Sequence, residues 1–257
     1  MSLIEFRKVS KQFGRQVVLN GVDLNIDEGK CIVILGASGS GKSVMLKHMV
    51  GLLRPDSGEV WYDGQRIDNL PEKKLSELRT QFGFLFQMGA LFDSMNVFDN
   101  VAFPIVQHTD KNPEEIREIV EQKLRMVGLR DVDKKMPAEL SGGQRKRVAL
   151  ARAIALDPRV IVYDEPTTGL DPIRSDVINH LIIKLQRELK VTSVVVTHDM
   201  HSALKVADRI VMLHEGKLIF DGTAEDIRNS DDPIVQRFVN GEAGDEELAG
   251  LRETPMK

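Results

Sequence analysis

Apolar and polar positions alternate along the first third of the chain as they do in β-strands. The stretches LIEFRKV and VDLNI alternate with a period of two, which indicates strands with one buried face. KCIVILG is a continuous apolar run, which is typical of a parallel strand buried on both faces. The pattern further predicts a helix from Lys42 through the stretch VMLKHMVGLL, a hairpin at Asp63-Gly64 and a short strand over residues 82–86.

The pattern becomes mostly helical between residues 87 and 156. Asn112 is a good N-cap, Pro113 stands at the first helical position, and Gly128 is a typical helix terminator. Between them, apolar residues recur at helical spacing: Ile116, Ile119, Val120, Leu124 and Val127. A second helix is predicted after Ser141.

Strands and helices alternate again after Pro158. RVIVYDEP and VTSVVVTH indicate strands, residues 177–189 an amphipathic helix, and ADRIVML with GKLIF a strand pair around Glu215-Gly216. The order of elements predicts an α/β fold with a mostly parallel core, an N-terminal antiparallel β subdomain and an inserted helical subdomain.

The predicted organisation is a single domain over residues 1–240 with an acidic tail. Its core covers residues 1–86 and 158–222, the helical subdomain covers about 87–157, and C-terminal helices cover 223–240. The tail, residues 241–257, is poor in aromatic residues and is predicted to be flexible, although Leu248 and Leu251 could dock on a partner.

Composition narrows the classes of function. The chain of 257 residues has a formal net charge of -4, so it lacks the basic surplus of a general nucleic-acid binder. The single cysteine, Cys31, lies in a predicted buried strand and is interpreted as a core residue in a reducing compartment. No signal peptide is expected, and the apolar runs are too short to span a bilayer. A role at a membrane would therefore require a partner that holds the chain there.

The stretch GASGSGKS carries the strongest chemical signal. It matches G-x-x-x-x-G-K-[ST] between a predicted strand and a predicted helix, the context in which glycines let backbone N–H groups wrap phosphates. The Lys42 ammonium would reach the β- and γ-phosphates, and the Ser43 hydroxyl would bind Mg²⁺. The candidate nucleotide-binding residues here are Gly36, Ser38, Gly39, Ser40, Gly41, Lys42, Ser43 and Val44.

Two carboxylates follow the apolar strand in RVIVYDEP. Asp164 stands at the end of that strand, where loops of a parallel sheet form the ligand crevice, and it could hold the Mg²⁺ shell. Glu165 comes next and is a candidate to orient or deprotonate an attacking water. A solvent-facing acidic strand end would not explain both carboxylates in a chain that also has a phosphate loop.

A second glycine segment, residues 140–144, raises a separate question. LSGGQ precedes a predicted helix, which is the arrangement of another anion-binding site. It could bind a second anion, or it could bind the γ-phosphate held by a second copy of the chain. The pattern alone leaves both possibilities open.

The ordered set of motifs resembles the nucleotide-binding subunits of ABC transporters over nearly the whole chain. The set is GASGSGKS, Gln87 in FLFQ, LSGGQ, VIVYDEP, Asp171 in GLD and His198 in VTHD. The resemblance implies a P-loop NTPase (RecA-like) fold, ATP and Mg²⁺ as cofactors, and ATP hydrolysis in a homodimer that holds two ATP molecules between its subunits.

The resemblance also implies roles for individual residues. Contact with the partner's ATP falls to residues of the second glycine segment: Ser141, Gly142, Gly143 and Gln144. His198 would contact the γ-phosphate and Asp171 would lie at the subunit interface. Gln87 would couple the Mg²⁺ and water site to a membrane partner. Phe13 matches the aromatic position that stacks on adenine, where tyrosine is the commoner residue.

The basic run QRKR after this segment has two interpretations. A nucleic-acid contact is one, and a solvated basic face of a helix is the one we favour, so no nucleic-acid partner is expected.

The stretch LFQMGALFDSMNVFDNVAFP is more specific. It follows Gln87, where ABC ATPases receive the coupling helix of their permease, and it resembles the ATPases of MCE-type (Mla-like) phospholipid transport systems. The stretches YDEPTTGLDPI and SDDPIVQRFVNG resemble that group as well. Its apolar residues Phe92, Val97, Phe98 and Phe103 would in any case pack the helical insertion.

This resemblance implies a partner set and a location. The partners would be integral membrane permease subunits, an MCE-domain lipid-binding protein and a small accessory protein. The chain would act in the cytoplasm on the inner-membrane face and would help to maintain outer-membrane lipid asymmetry. The alternatives are an ABC ATPase for another cargo, such as an amino acid or a metal, and a soluble ABC protein of DNA repair or translation. The last usually needs tandem ATPase domains or a long coiled-coil insertion, for which this chain has no room.

Overall fold

The computed structural model describes residues 2–243, which form two sheets and nine α-helices. The strands are β1 Ser2–Phe13, β2 Gln16–Asp27, β3 Cys31–Leu35, β4 Ser57–Tyr62, β5 Gln65–Arg66, β6 Phe82–Leu85, β7 Val160–Asp164, β8 Thr192–Thr197, β9 Arg209–His214 and β10 Lys217–Gly222. The helices are α1 Lys42–Met49, α2 Glu72–Arg79, α3 Val97–His108, α4 Pro113–Met126, α5 Gly142–Ala153, α6 Pro172–Leu189, α7 Met200–Val206, α8 Ala224–Arg228 and α9 Pro233–Asn240.

The larger sheet has six strands in the order β10-β9-β3-β8-β7-β6. All pairs from β9 to β6 are parallel, and only β10 pairs antiparallel with β9. The smaller sheet, β2-β1-β4-β5, is antiparallel throughout. The predicted combination of a mostly parallel core and an antiparallel β part is therefore confirmed.

Strand β3 explains why the sequence there is apolar without interruption. All five of its residues are buried, but successive side chains enter two different cores. Cys31, Val33 and Leu35 pack with the helices on one face of the large sheet. Ile32 and Ile34 pack between the two sheets, together with Met45 of α1. A strand buried on both faces has no place for polar side chains, and Cys31 is a core residue as predicted.

Helices α3, α4 and α5 lie between β6 and β7 in the chain and pack on one another. The predicted cap of α4 is present: the Asn112 side chain accepts from the Glu115 amide, and the Glu115 carboxylate accepts from the Asn112 amide. The buried side chain of Asn100 in α3 fixes the preceding loop, because it bonds to the backbone of Phe92 and Met95. The cap of α4 follows from the local pattern, whereas the bonds of Asn100 were not predicted.

Several element boundaries differ from the prediction. Helix α1 ends at Met49 instead of continuing to Leu53, because Gly51 takes the left-handed conformation at φ 64 and turns the chain. Helix α6 begins at Pro172 instead of residue 177, since the Asp171 side chain caps it. Helix α2 was not predicted.

The tail falls mostly outside the described residues. Leu248 and Leu251, the proposed docking residues, lie there, and so does the acidic segment around them. Within residues 2–243, no helix is both long enough and apolar enough to cross a lipid bilayer.

Candidate active site

A cleft of about 330 Å³ opens at the carboxyl ends of the parallel strands β3, β7 and β8. Each of these strands delivers functional side chains to the same edge, as expected for an open parallel sheet. The cleft is lined by Phe13, Val18, Ser38, Gly39, Gly41, Lys42, Ser43, Val44, Gln87, Asp164, Glu165 and His198. Residues predicted from separate motifs therefore meet at one place.

Glycine is required in the phosphate loop by close backbone approach. A Cβ on Gly36 would lie 2.4 Å from the Leu213 carbonyl oxygen, and one on Gly41 would lie 2.8 Å from the Val18 carbonyl oxygen. Gly41 is the N-cap of α1, and no side chain caps that helix. The amides at the start of α1 are thus directed at the cleft without competition from a capping side chain.

The Lys42 side chain folds back over the phosphate loop. Its Nζ donates hydrogen bonds to the Gly36 and Ala37 carbonyl oxygens, at 2.7 and 2.8 Å. Burial lowers the pKa of Lys42, while the Glu165 and Asp164 carboxylates act in the opposite direction. A cation held between a loop of backbone amides and two carboxylates is well placed to bind phosphate oxygens.

The Glu165 carboxylate is held from three sides. Nδ1 of His198 lies 2.9 Å from it, and the hydroxyls of Thr168 and Thr197 donate to Oε2 at 3.2 and 3.4 Å. The Glu165 backbone itself is left-handed, with φ 49, which is uncommon for a residue with a side chain. Neither threonine was predicted as a site residue, although Thr168 lies in the stretch YDEPTTGLDPI and Thr197 lies in VTHD.

The cleft also supplies oxygen ligands. Asp164, Ser43 and Gln87 present a carboxylate, a hydroxyl and an amide to the same space. Burial, and then the adjacent Glu165 carboxylate, raise the pKa of Asp164 above its usual range. A bound cation would relieve that cost, because it compensates negative charge in a partly buried place.

The second glycine segment lies elsewhere. Ser141 caps α5 in a capping box: its Oγ accepts from the Gln144 amide at 3.3 Å, and Gln144 Oε1 accepts from the Ser141 amide at 3.0 Å. Ser141, Gly142, Gly143, Gln144 and Asp171 do not line the cleft that holds Lys42 and Glu165. Asp171 instead caps α6 by accepting from the Arg174 amide.

The prediction of a solvated basic face for QRKR is wrong at one residue. Arg145 is exposed, but Lys146 is only 6% exposed and donates to backbone carbonyls. The helical period explains this, because Lys146 follows Gly143 by one turn on the face of α5 that is buried.

A larger groove of about 460 Å³ lies beyond Gln87. Helices α2, α3 and α5 and strand β6 form its walls. Its apolar lining comes mainly from Phe82, Phe84, Phe86, Phe92, Phe103 and Pro104, and its polar lining includes Arg79, His108 and Arg152. Two of the aromatic residues predicted to pack the helical insertion, Phe92 and Phe103, therefore also line an open groove, and Phe92 is 41% exposed.

Comparison with known proteins agrees with this site. Residues 19–168 match the family model described as ABC transporter. The chain is 46% identical over 242 residues to the intermembrane phospholipid transport system ATP-binding protein MlaF of Haemophilus influenzae, covering 94% of this chain and 92% of that one. It is 42% identical over 240 residues to MlaF of Escherichia coli K12, covering 93% and 89%.

A second group of relatives is mycobacterial and longer. The chain is 47% identical over 238 residues to the probable ribonucleotide transport ATP-binding protein mkl of Mycobacterium leprae. It covers 69% of that protein and 66% of its Mycobacterium tuberculosis counterpart, so it spans about two thirds of these relatives.

Solved structures share the fold. The ATP-binding cassette MJ0796, solved as a dimer in a post-hydrolysis state with ADP and phosphate, superposes with a TM-score of 0.80 at 35% identity over 86% of this chain and 99% of that one. The cassette cbiO1 of Clostridium perfringens, part of the complex cbiONQ, gives a TM-score of 0.82 at 30% identity over 98% and 99%. With its phosphate loop, its held glutamate and its matched family model, the chain belongs to the ABC transporter family and is one of its ATPases.

Proposed function

We propose that two copies of this chain hydrolyse ATP to power phospholipid transport through a membrane permease. The observation that carries the proposal is the meeting of Lys42, Glu165 and His198 in one cleft, in a chain similar to MlaF along almost its full length. The residues of the cleft support ATP hydrolysis as the reaction, and the similarity to MlaF supports phospholipid as the transported molecule.

Nucleotide binding is assigned to the phosphate loop and α1. The uncapped amides of α1 and the Lys42 ammonium bind the phosphates, because both supply positive potential at a wall without bulky side chains. Phe13 is 48% exposed at the mouth of the cleft and offers a ring face for adenine stacking. Lys11 Nζ lies 5.6 Å from the centre of that ring.

Glu165 is assigned to accept the proton from the attacking water. A carboxylate can do this only if it faces the water with a lone pair free, so its orientation matters as much as its charge. The hydroxyls of Thr168 and Thr197 donate to Oε2, and His198 lies against the same carboxylate. We therefore assign Thr168 and Thr197 as positioning residues for Glu165. We assign His198 to contact the γ-phosphate, because it also lines the cleft.

The oxygen donors Ser43, Gln87 and Asp164 fit Mg²⁺, which prefers carboxylate and neutral oxygen ligands and shares its remaining positions with water and phosphate. When bound, the ion supplies positive charge that neutralises phosphate oxygens. The same three side chains would hold the ion.

The second glycine segment is assigned to the partner copy's ATP. It lies outside the cleft of its own chain, and the related cassette MJ0796 is a dimer. In a head-to-tail pair, Ser141, Gly142 and Gly143 of one copy complete the site of the other. Loss of the γ-phosphate then loosens the pair.

The groove beyond Gln87 is assigned to the permease. Its lining is mostly apolar and includes the basic side chains of Arg79 and Arg152, which suits an amphipathic cytoplasmic helix that carries acidic residues. Gln87 lies between this groove and the oxygen ligands of the cleft, so movement at one is transmitted to the other. We further propose that the chain acts on the cytoplasmic face of the inner membrane, with an MCE-domain protein and a small accessory protein as further partners; the similarity to MlaF supports this.

Catalysis is tested by Glu165→Gln. This substitution removes the proton acceptor but keeps the side chain's shape, so turnover should fall by about 10²–10⁴-fold while ATP binding is kept and a dimer accumulates. Sedimentation with and without ATP measures the dimer. Glu118→Gln, on the exposed face of α4, is the matched control. Near wild-type turnover by the Glu165 variant would show that Glu165 is not the proton acceptor.

Cargo is tested by recovering the tagged chain from native membranes in mild detergent, with proteins and lipids identified by mass spectrometry. Phospholipid together with a multi-span permease and an MCE-domain protein would support the proposal. The alternative is a soluble cargo, favoured by the name of mkl, a ribonucleotide transport protein. A permease recovered with a soluble solute-binding protein and no enriched phospholipid would support that alternative.

A further inference from the structure

Lys146 makes an unusual set of contacts from the second turn of α5. Its side chain is almost fully buried, and its Nζ donates to the carbonyl oxygens of Pro166, Thr168 and Glu165 at 2.6, 2.8 and 3.3 Å. An ammonium has three hydrogens. All three are directed at one short backbone segment that follows β7.

That segment is the one that shapes the catalytic glutamate. Glu165 needs its left-handed backbone to turn its side chain into the cleft, and Thr168 donates its hydroxyl to the Glu165 carboxylate. Lys146 binds the carbonyls of both residues and of the proline between them. A shift of Lys146 would therefore move the carboxylate and one of its two hydroxyl partners together.

A purely structural role for Lys146 would look different. Lys123, the other buried lysine of the helical region, is 3% exposed and pairs with the carboxylate of Asp157. Lys146 instead bonds to neutral carbonyls, and burial lowers its pKa to about 8 while the Glu165 carboxylate opposes that shift. An isolated ammonium is costly to bury. The three hydrogen bonds of the Lys146 ammonium therefore connect α5 to the backbone segment that carries Glu165.

The second glycine segment forms the N-terminal end of α5, one turn before Lys146. Ser141 caps the helix and lies five positions before Lys146, so both belong to one helix of 12 residues. We propose that Lys146 is a positioning residue that links the second glycine segment to Glu165 of the same copy. The proposal rests on the proposed function, in which that segment contacts the partner's ATP. ATP bound in one site would thereby set the geometry of the glutamate in the other.

The test compares Lys146→Met with wild type in ATP hydrolysis and in ATP binding. Methionine keeps much of the aliphatic volume of the lysine and removes every hydrogen-bond donor. We expect kcat to fall about 10–100-fold, because Glu165 would be misplaced. The KM for ATP should change less than about threefold, since the phosphate loop is intact. We also expect the wild type to show a Hill coefficient above 1 and the variant a value near 1. Lys146→Gln, which restores two donors, should fall between the two in kcat.

Lys123→Met is the structural control. It removes a buried ammonium of similar exposure, so it should lower the melting temperature while keeping kcat and the Hill coefficient. If Lys146→Met behaves like Lys123→Met, or if the wild type binds ATP without cooperativity, the link between the sites is wrong. Glu165→Gln is measured in parallel. If Glu165→Gln still hydrolyses ATP, the catalytic role assigned to Glu165 is wrong. If Glu165→Gln is inactive and Lys146→Met is fully active, only the positioning role of Lys146 is wrong.

Discussion

The two glycine-bearing helix starts of this chain, at α1 and at α5, differ in how their amides are satisfied. Helix α1 begins at Gly41, whose left-handed backbone and missing side chain leave the first turn uncapped. Helix α5 begins at Ser141, and Gln144 closes a reciprocal capping box with it. One end is thus open to an anion within its own chain, and the other is closed by its own side chains.

This difference supports the proposal that the two helix starts serve different copies of the chain. At α1 the cleft brings together a lysine, oxygen donors and a held glutamate. The glycines at the start of α5 do not line that cleft. A capping box stabilises a helix by about 1 kcal/mol. We propose that it preserves α5 until a partner's phosphate, which forms stronger hydrogen bonds, approaches.

The largest expected effect on turnover is at the uncapped start of α1. Lys42→Met removes the ammonium that the cleft holds between the phosphate loop and two carboxylates. We expect turnover to fall by at least about 100-fold, as for other donors that stabilise transition-state charge, together with weaker ATP binding. ATP titration and hydrolysis assays measure the two effects. Wild-type affinity and turnover in this variant would contradict the assignment of α1.

At the capped start of α5, Gly142→Asp is expected to lower turnover without changing ATP binding by the single chain. There is room for a Cβ on Gly142, since the nearest atom is Leu170 Cδ2 at 3.7 Å, and an acidic residue in the first turn favours a helix. The same charge would repel a partner's phosphate, so turnover should fall by about 10–100-fold. ATP affinity of the single chain should be unchanged. A matched loss of affinity would mean that α5 contacts the nucleotide of its own chain.

The smallest effect is expected from Ser141→Ala. It removes the cap of α5 and should lower the free energy of unfolding by about 1 kcal/mol, with turnover reduced only a few-fold because the glycine amides remain. Thr223→Ala removes the capping box of α8, far from the cleft, and is the matched control. The control should lose similar stability and no turnover; equal turnover in the two variants would place Ser141 outside the shared site.

Much of the site could be predicted because its residues lie in local motifs. GASGSGKS, Asp164, Glu165 and His198 each end or follow a strand, and parallel strands bring such positions to one edge. The roles of Thr197 and Lys146 could not be predicted, because they depend on hydrogen bonds across the fold. Thr168 is only three residues from Glu165, but its bond depends on the left-handed backbone of Glu165, which the pattern does not show. Lys146 and Glu165 are 19 residues apart, and Thr197 and Glu165 are 32 apart.

Boundaries of elements were predicted less well than their existence, for similar reasons. Gly51 ends α1 through its backbone conformation, although the apolar pattern continues to Leu53. Asp171 was singled out for an interface and not as the cap of α6, so that helix was predicted five residues too short. In both cases the local hydrophobic period was right, and a single backbone or capping residue set the end.

The most direct test of the shared site mixes two strongly impaired variants, Lys42→Met and Gly142→Asp, in equal amounts with saturating ATP. If each copy completes the other's site, a mixed dimer has one site with both defects and one site with none. The account predicts that the mixture regains up to about a quarter of wild-type turnover, because half of the dimers are mixed and each holds one intact site of two. If the mixture stays as inactive as either variant alone, while both variants remain folded and form dimers, the second glycine segment does not serve the partner's ATP.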